Sequence, residues 1–497
     1  MLFNEQSFVF IFLPVVLAGL FAFKAWAPRL TCVWVVVSSF FFYGFHAWEH
    51  LPLLTGSVIL NYWLGSRIQK SEKPKTKFNL MSLGIFGNLG VLAVFKYADF
   101  FLLQLGYDEG FGLLLPLAIS FFTFQQIAYL VDLGRGKLTN PGFLHYCVFV
   151  SFFPQLIAGP IVRCQKIIPQ LKNGMLGKLS SEAFWTGLCL FSIGLFKKAC
   201  LADGIRPLAE SIFTASSEGT ILSIVEAWVG ATAFGLQIYF DFSAYSDMAL
   251  GLGLLFGLRL PLNFDSPYKA VSIIDFWRRW HITLSEFLRD YLYKPLGGNR
   301  HGVRRGIINA MIVMALGGLW HGASWTFVAW GLMHGIFIGV NHLYRAGGGD
   351  KDGGVSSSLL RLTSSRLITF VFVTIAWVFF RNQDFGHAFS MLESMLGLNG
   401  IDLPRSLRFS ADVTFLRFGG VFVNQVTDIT LLPFFAFLLG LVWFAPNSFQ
   451  LLKVRRDEDV SFNHPSRSVV FLCGILLFWG IKVSFEATTH EFLYFRF

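Results

Sequence analysis

The apolar residues of this chain gather into runs of about 16–25, and these runs constrain its fold more than any other feature. A helix of that length crosses a bilayer core of about 30 Å. Only 14% of the 497 residues are charged, whereas a soluble domain has about a quarter. Because the runs cover most of the chain, the sequence predicts an all-α polytopic membrane protein, with residues 1–497 as a single membrane-embedded domain.

Basic residues alternate from loop to loop and predict the orientation of the first spans. Residues 24–29 are basic, 47–52 contain no Lys or Arg, and 67–77 contain five such residues. Residues 104–112 are acidic and 134–137 are basic again. Since cytoplasmic loops collect Lys and Arg, we expect an N-terminus outside and a retained first span. The five spans lie at about 7–23, 30–46, 53–66, 79–103 and 113–132.

The alternation fails at the apolar run 143–162, because basic stretches flank it on both sides. Pro154, Gly159 and Pro160 favour a broken, re-entrant path. Irregular backbone at membrane depth persists only when it is buried in protein or lines a cavity, so we expect a cavity here. With further spans near 181–201, 222–259, 307–320, 323–344, 366–380, 431–446 and 468–484, the sequence predicts about eleven crossings and about two re-entrant elements.

A histidine stands between two apolar runs in the stretch GGLWHGASW, residues 317–325. Neutral imidazole accepts a proton from an alcohol near physiological pH, and a dry site helps to tune its pKa. The flanking glycines allow close approach of backbone or substrate. His321 is therefore a candidate general base. The local sequence alone favours the alternative, a buried histidine that serves only helix packing.

The segment 275–300 begins DFWRRWH and continues as an amphipathic pattern. The apolar residues at helical spacing are Leu284, Phe287, Leu288 and Tyr291. We expect a helix at the membrane surface or entering a cytoplasmic vestibule. Its cations suit the phosphates of an acyl donor, and Trp277, Arg278 and Arg279 are the donor-side binding candidates. Ordinary contact with lipid headgroups is the alternative.

A polar stripe recurs at four-residue spacing at Gln237, Asp241 and Tyr245, with Asp247 on a different helical face. Two carboxylates inside a membrane need partners, and Arg278 or Arg279 are the expected ones. A structural ion-pair role is favoured, with substrate orientation as the alternative.

Several function classes lack support in the sequence. The six cysteines show no CxxC and no pairing with histidine, so we expect buried apolar thiols and no metal. GxSxG, HExxH and nucleotide-binding patterns do not occur in a suitable setting. The net charge of +10 lies in short loops, which is typical of membrane topology and anionic lipid contact, not of nucleic-acid binding.

The motifs resemble the membrane-bound O-acyltransferase family, and within it the bacterial alginate O-acetyltransferase-like branch. The matching stretches are PLAISFFTFQQIAYLVD (116–132), FPQLIAGPIVR (153–163), QIYFDFSAYSDM (237–248), residues 275–300, LWHGASWTFVAWGLMHG (319–335), MLGLNG (395–400) and FLYFRF (492–497). Ala244 stands where that branch has glycine, which is a small departure.

The resemblance implies that His321 matches the family's essential histidine and His281 its second active-site position, while His334 is left as packing. It also implies helices around a thinned centre with a tunnel. The expected enzyme is a polysaccharide O-acetyltransferase of the bacterial cytoplasmic (inner) membrane. An acetyl thioester, acetyl-coenzyme A or an acyl carrier, serves as co-substrate with no bound cofactor. A periplasmic or membrane-anchored SGNH/esterase-like partner completes the transfer.

Three alternatives stay open at this point. A transporter or flippase shares broken helices and intramembrane acids, and its activity would survive loss of His321. The D-alanyl transferases of teichoic acid are similar, but the region 382–428 favours the polysaccharide branch. A lipid-acylating member would need a long acyl groove. Alginate is the first choice of acceptor, followed by cellulose, peptidoglycan or another exopolysaccharide.

Overall fold

The structure is a computed structural model that describes residues 1–347, 359–399, 401–403, 416–418, 431–454, 464–486 and 491–493. The ends of two predicted motifs, Gly400 and residues 494–497, lie outside the described residues, as does most of 400–428 in the region 382–428.

The described chain is mostly helical. Its first ten helices are α1 (Leu13–Trp26), α2 (Thr31–Ala47), α3 (Leu51–Lys70), α4 (Pro74–Gln104), α5 (Ile119–Gly134), α6 (Phe143–Ser151), α7 (Phe153–Leu156), α8 (Cys164–Lys172), α9 (Ser181–Phe196) and α10 (Asp203–Ser217). The others are α11 (Ile224–Leu255), α12 (Ile273–Arg279), α13 (Ile282–Leu288), α14 (Val303–His321), α15 (Trp325–Ala346), α16 (Leu359–Arg381), α17 (Phe385–Met395), α18 (Leu431–Phe444), α19 (Ser448–Leu451) and α20 (Arg467–Glu486).

Short 3₁₀ and π segments join or extend these helices. The π segments are Phe8–Phe12, Lys197–Ala202 and Arg289–Tyr293. The 3₁₀ segments are Pro28–Leu30, Trp48–His50 and Pro267–Lys269. Two short strands, β1 (Ile401–Leu403) and β2 (Leu416–Phe418), pair in parallel, so the all-α expectation holds apart from this pair.

Seven helical stretches in the described part of the chain are long and apolar enough to cross a membrane. They are Phe8–Trp26, Pro28–Lys70, Pro74–Gln104, Val303–His321, Trp325–Ala346, Leu359–Arg381 and Arg467–Glu486. The second stretch contains both α2 and α3, and α18 is a shorter apolar helix. The chain is therefore a multi-pass membrane protein. The count of about eleven crossings and the central tunnel stay predictions.

Two predicted spans have a different form in the structure. The run 113–132 becomes helical only at Ile119, because Pro116 and the left-handed Ala118 (φ 62°) precede it. Every residue of α5 from Ile119 to Leu133 is buried, so the run is a core helix. The run 222–259 is long enough for two helices, but it contains one 32-residue helix, α11.

The apolar run 143–162 is broken as its prolines and glycine predicted. Helix α6 ends at Ser151, Phe152 leaves helical geometry, and α7 lasts four residues. The amide of Gln155 donates to the carbonyl of Phe149 at 2.6 Å, so a side chain takes over a backbone partner at the break. The re-entrant path itself stays a prediction.

The chain divides into two compact units. The first comprises Met1–Ala199, Phe242–Asn263 and Asn447–Phe497, and the second comprises Cys200–Asp241 and Phe264–Pro446. A single membrane domain stays a prediction. Both histidines predicted to be catalytic, His281 and His321, belong to the second unit.

Candidate active site

The core of the site is a tight hairpin of α14 and α15. A Cβ atom on Gly318 would collide with the carbonyl oxygen of Phe327, and one on Gly331 would collide with that of Met314. The two helices can approach this closely only because glycine stands at both positions. A short turn joins the two helices, and its last residue, Ser324, caps α15 by accepting a hydrogen bond from the N–H of Thr326 at 3.3 Å.

His321 is the last residue of α14 and is only 3% exposed. Its imidazole lies among aromatic rings, with centroid distances of 4.9 Å to Trp320, 5.1 Å to Trp330 and 5.2 Å to Phe380. Gly322 then continues in extended geometry, where a Cβ atom would strike the ring of Phe327. The structure thus places an imidazole, a group that can accept a proton when neutral, at a helix end within an aromatic shell.

His281 reaches the same aromatic shell from a separate element. It separates α12 from α13 and adopts a left-handed backbone (φ 40°), which costs a residue with a Cβ of order 1 kcal/mol. Its ring is fully buried and lies 6.2 Å from the ring of Trp320. The indole of Trp320 therefore contacts both His281 and His321. Burial lowers the pKa of His281 to about 3, so this histidine is neutral at pH 7.

His334 is fully buried in the next turns of α15 and accepts a hydrogen bond. The indole N–H of Trp277 donates to its Nδ1 at 3.2 Å. Trp277 itself is 8% exposed, so the polar atom of this donor-side candidate is directed into the protein. The Trp277–His334 bond fixes α12 against α15, which agrees with a packing role for His334.

The two arginines of the donor-side prediction have different surroundings. Arg279 donates from Nε to Asp275 at 2.9 Å and from a terminal nitrogen to the carbonyl of Asp265 at 3.3 Å. Arg278 is exposed.

The amphipathic prediction for the following segment is confirmed for Leu284, Phe287 and Leu288, which are all buried. It is wrong for Tyr291, which is only half-buried. The helix is interrupted by His281 and ends in the π segment Arg289–Tyr293.

The polar stripe of α11 is buried, with Gln237, Asp241 and Tyr245 each at most 6% exposed. Asp247 forms an ion pair with Lys197 at 2.7 Å and accepts a hydrogen bond from Ser448. For Asp247 the predicted ion-pair role is confirmed, but its partner is Lys197 instead of the expected Arg278 or Arg279. Lys197 was missed because it lies fifty residues away in the chain, at the end of α9.

Two aromatic residues of the site were not predicted from the sequence. Phe380 contacts the ring of His321, and Trp377, one turn earlier on α16, stacks on Trp330 at 5.9 Å. Their spacing of three residues places them on one face of α16. This spacing is visible in the sequence, but no local sequence pattern relates the two aromatic residues to a histidine on another helix.

The membrane-bound O-acyltransferase family model matches residues 133–347, a range that includes both histidines and the whole hairpin. The chain is 44% identical to the peptidoglycan O-acetyltransferase of Helicobacter pylori over 466 aligned residues. The alignment covers 86% of this chain and 84% of that protein. The chain is 37% identical to the probable alginate O-acetylase of Pseudomonas aeruginosa over 436 aligned residues, which make up 84% of this chain and 79% of that protein. The chain belongs to the membrane-bound O-acyltransferase family.

This membership confirms the family predicted from the motifs. The protein is an acyltransferase, a membrane O-acetyltransferase of the polysaccharide type. The teichoic acid D-alanyltransferase of Bacillus subtilis is more distant, at 26% identity over 281 residues, covering 54% of this chain and 70% of that protein. These relatives all carry acyl-transfer names, which does not support the transporter alternative.

Proposed function

We propose that this O-acyltransferase moves an acetyl group from a cytoplasmic thioester to a hydroxyl on the other side of the membrane, with His321 as general base. The observation that carries the proposal is the contact of one indole, Trp320, with both His321 and His281. Two buried imidazoles within one aromatic shell provide a proton acceptor and a second polar group where acyl transfer needs them.

In the proposed step, His321 removes the proton of the acceptor hydroxyl as its oxygen attacks the thioester carbonyl. The tetrahedral intermediate carries its negative charge on the former carbonyl oxygen. When it collapses, the carbon–sulfur bond breaks and the proton held by His321 passes to the thiolate. An acetyl ester and a free thiol leave, and the histidine is again neutral.

The developing oxyanion needs a hydrogen-bond donor, and Trp330 offers one. Its indole Nε1 is buried beside His321 and has no hydrogen-bond partner among the residues that the structure describes. A buried N–H group without a partner is costly in a resting protein, but it is useful where charge appears during the reaction. His281 is the second candidate donor.

The donor is proposed to be acetyl-coenzyme A or an acetylated carrier, used as co-substrate. Arg278, which is exposed at the end of α12, and the neighbouring Arg279 support this role, because both precede His281 by two or three residues. Cations at this point bring the phosphates of a donor to the cytoplasmic end of the segment that carries the histidine.

The protein is proposed to lie in the bacterial cytoplasmic (inner) membrane, and the final acceptor is proposed to be a polysaccharide outside that membrane. Identity favours peptidoglycan, since the relative named for it is 44% identical and the one named for alginate is 37% identical. Alginate, the first choice from the sequence, is the second candidate. A periplasmic or membrane-anchored SGNH/esterase-like partner is proposed to accept the acetyl group on its own hydroxyl and to pass it to the glycan, which is then the final acceptor.

The test uses the source bacterium with its own copy of the gene removed and replaced by wild type or by His321→Ala at equal membrane levels. Alkali-labile acetate is measured separately on purified peptidoglycan and on extracellular polysaccharide. Acetate restored on one fraction by the wild type alone identifies the acceptor. Equal acetate with and without the wild-type gene on both fractions contradicts the proposed function.

A further inference from the structure

The first unit contains a cavity of about 430 Å³, and its lining residues do not include the histidines of the second unit. It opens between the loop that precedes α9, the start of α9 and the end of α11. Its apolar lining includes Met175, Leu179 and Leu254, and its two cations are Lys178 and Arg259. The volume lies within the range of about 300–1,000 Å³ that is typical of small-molecule sites.

The walls of this cavity are held in place by backbone contacts. The N–H of Gly177 donates to the carbonyl of Phe256 at 2.9 Å. Gly257 has a left-handed backbone (φ 81°), and a Cβ atom there would collide with the carbonyl oxygens of Met175 and Lys178. The loop before α9 and the turn after α11 are thus packed against each other without intervening side chains, which gives the cavity a preformed shape.

The position of Arg259 is also fixed. Its backbone N–H donates to the amide oxygen of Gln170 at 2.8 Å, and the amide nitrogen of Gln170 donates to its carbonyl at 3.0 Å. Lys24, at the end of α1, stabilises the loop before α9 by donating to the carbonyl of Gly174 at 2.9 Å. The backbone of Arg259, one of the two cations, is therefore fixed by hydrogen bonds at both its N–H group and its carbonyl oxygen.

The charge at the cavity is positive. Lys178 is exposed and has no ion-pair partner in the described part of the chain. The nearest acidic residue in sequence, Glu182 in the first turn of α9, lies 3.2 Å from His464. Positive charge beside an apolar wall selects against neutral ligands and against small hydrated anions alike, and it favours a phosphate joined to an apolar group.

We propose that this cavity binds the phosphate of an anionic phospholipid, with Lys178 and Arg259 at the phosphate and the apolar wall against the glycerol and upper acyl chains. The basic stretch 163–178 is predicted to lie on the cytoplasmic side, where anionic headgroups face such residues. Coenzyme A carries the same combination of phosphate and less polar chain, so it is the second source that the test must separate. The proposal is independent of the catalytic one.

The test measures lipid binding to the delipidated full-length protein by native mass spectrometry, with phosphatidylglycerol, phosphatidylcholine and coenzyme A as probes. Lys178→Ala combined with Arg259→Ala removes the cations, and Ala183→Trp fills the cavity without a change of charge. Lys137→Ala, which removes an exposed cation from another predicted cytoplasmic loop, is the control. Thermal melting in detergent checks that each variant is folded.

We expect phosphatidylglycerol to bind the wild type and Lys137→Ala alike, and to bind the double variant and Ala183→Trp at least tenfold more weakly. Phosphatidylcholine is expected to bind more weakly than phosphatidylglycerol, and coenzyme A is expected not to displace either lipid. Equal phosphatidylglycerol binding by all four proteins overturns the proposal. Displacement of the lipid by coenzyme A overturns the lipid assignment and gives the cavity to the acyl donor.

Discussion

The imidazole of His321 is surrounded by rings from three helices: Trp320 from its own helix, Trp330 from α15 and Phe380 from α16. Such a shell excludes water, and electrostatic interactions inside it are stronger than in solvent. The buried indole N–H of Trp330 is then a strong donor to a negative charge that forms beside it.

Replacing Trp330 with Phe removes this N–H group and keeps an aromatic ring. If Trp330 stabilises the oxyanion, kcat for acetyl transfer should fall about 100-fold while the thermal midpoint changes little. The measurement is turnover of an acetyl thioester by the purified protein in liposomes. Trp377→Phe, which alters the ring stacked on Trp330, is the matched control. Equal losses in both variants would assign Trp330 to packing alone.

His281 makes a separate prediction about pH. Its folded pKa of about 3 lies below the ordinary value of 6.5, so between these values the unfolded chain binds a proton that the folded chain does not. The free energy of unfolding should therefore fall as the pH falls from about 6.5 towards 3. His281→Asn should show a shallower fall in thermal midpoint between pH 7 and pH 5. Parallel curves for the two proteins would contradict the buried, neutral state of His281.

At the scale of elements, the α14–α15 hairpin depends on glycine at the crossing. Gly318→Ala should destabilise the protein by about 1–3 kcal/mol, because the added methyl group meets backbone that cannot move aside. The matched control is Gly90→Ala on α4, where nothing lies within 4 Å of the added carbon. Thermal melting of both variants checks this. An unchanged midpoint for Gly318→Ala would contradict the close backbone approach.

The sequence predicted the elements that long apolar runs define, and it predicted the break in 143–162 from Pro154, Gly159 and Pro160. It did not predict where α5 begins, because hydrophobicity does not distinguish a buried extended segment before Ile119 from a helix. The ion pair of Asp247 was predicted as an interaction but not by partner. Choosing Lys197 over Arg278 or Arg279 requires the tertiary fold, which local spacing does not contain.

The same limit applies to the site. His321 and His281 were identified by motif, and the structure places them on one indole ring. Phe380 and Trp377 were missed because they are ordinary aromatic residues of an apolar helix, and only packing relates them to His321.

At the scale of the whole molecule, the alternating loop charges predict which loops face outside. In a variant without the six native cysteines, single cysteines at positions 49 and 108 should react with a membrane-impermeant reagent in intact cells. Cysteines at positions 72 and 137 should react only after the membrane is opened. Restored acetate on the glycan confirms that each variant is functional. Labelling of position 72 in intact cells would contradict the predicted orientation.

The central claim is that His321 performs the proton transfer, and a comparison of His321→Asn with His387→Asn tests it most directly. His387 is a half-exposed histidine in the first turn of α17, so its loss controls for the removal of an imidazole. Both purified variants are assayed for transfer of acetyl from a thioester to an acceptor hydroxyl. We predict that His321→Asn loses about 100- to 10,000-fold in rate with an unchanged melting profile, while His387→Asn keeps its activity. Activity retained by a folded His321→Asn protein would contradict the account.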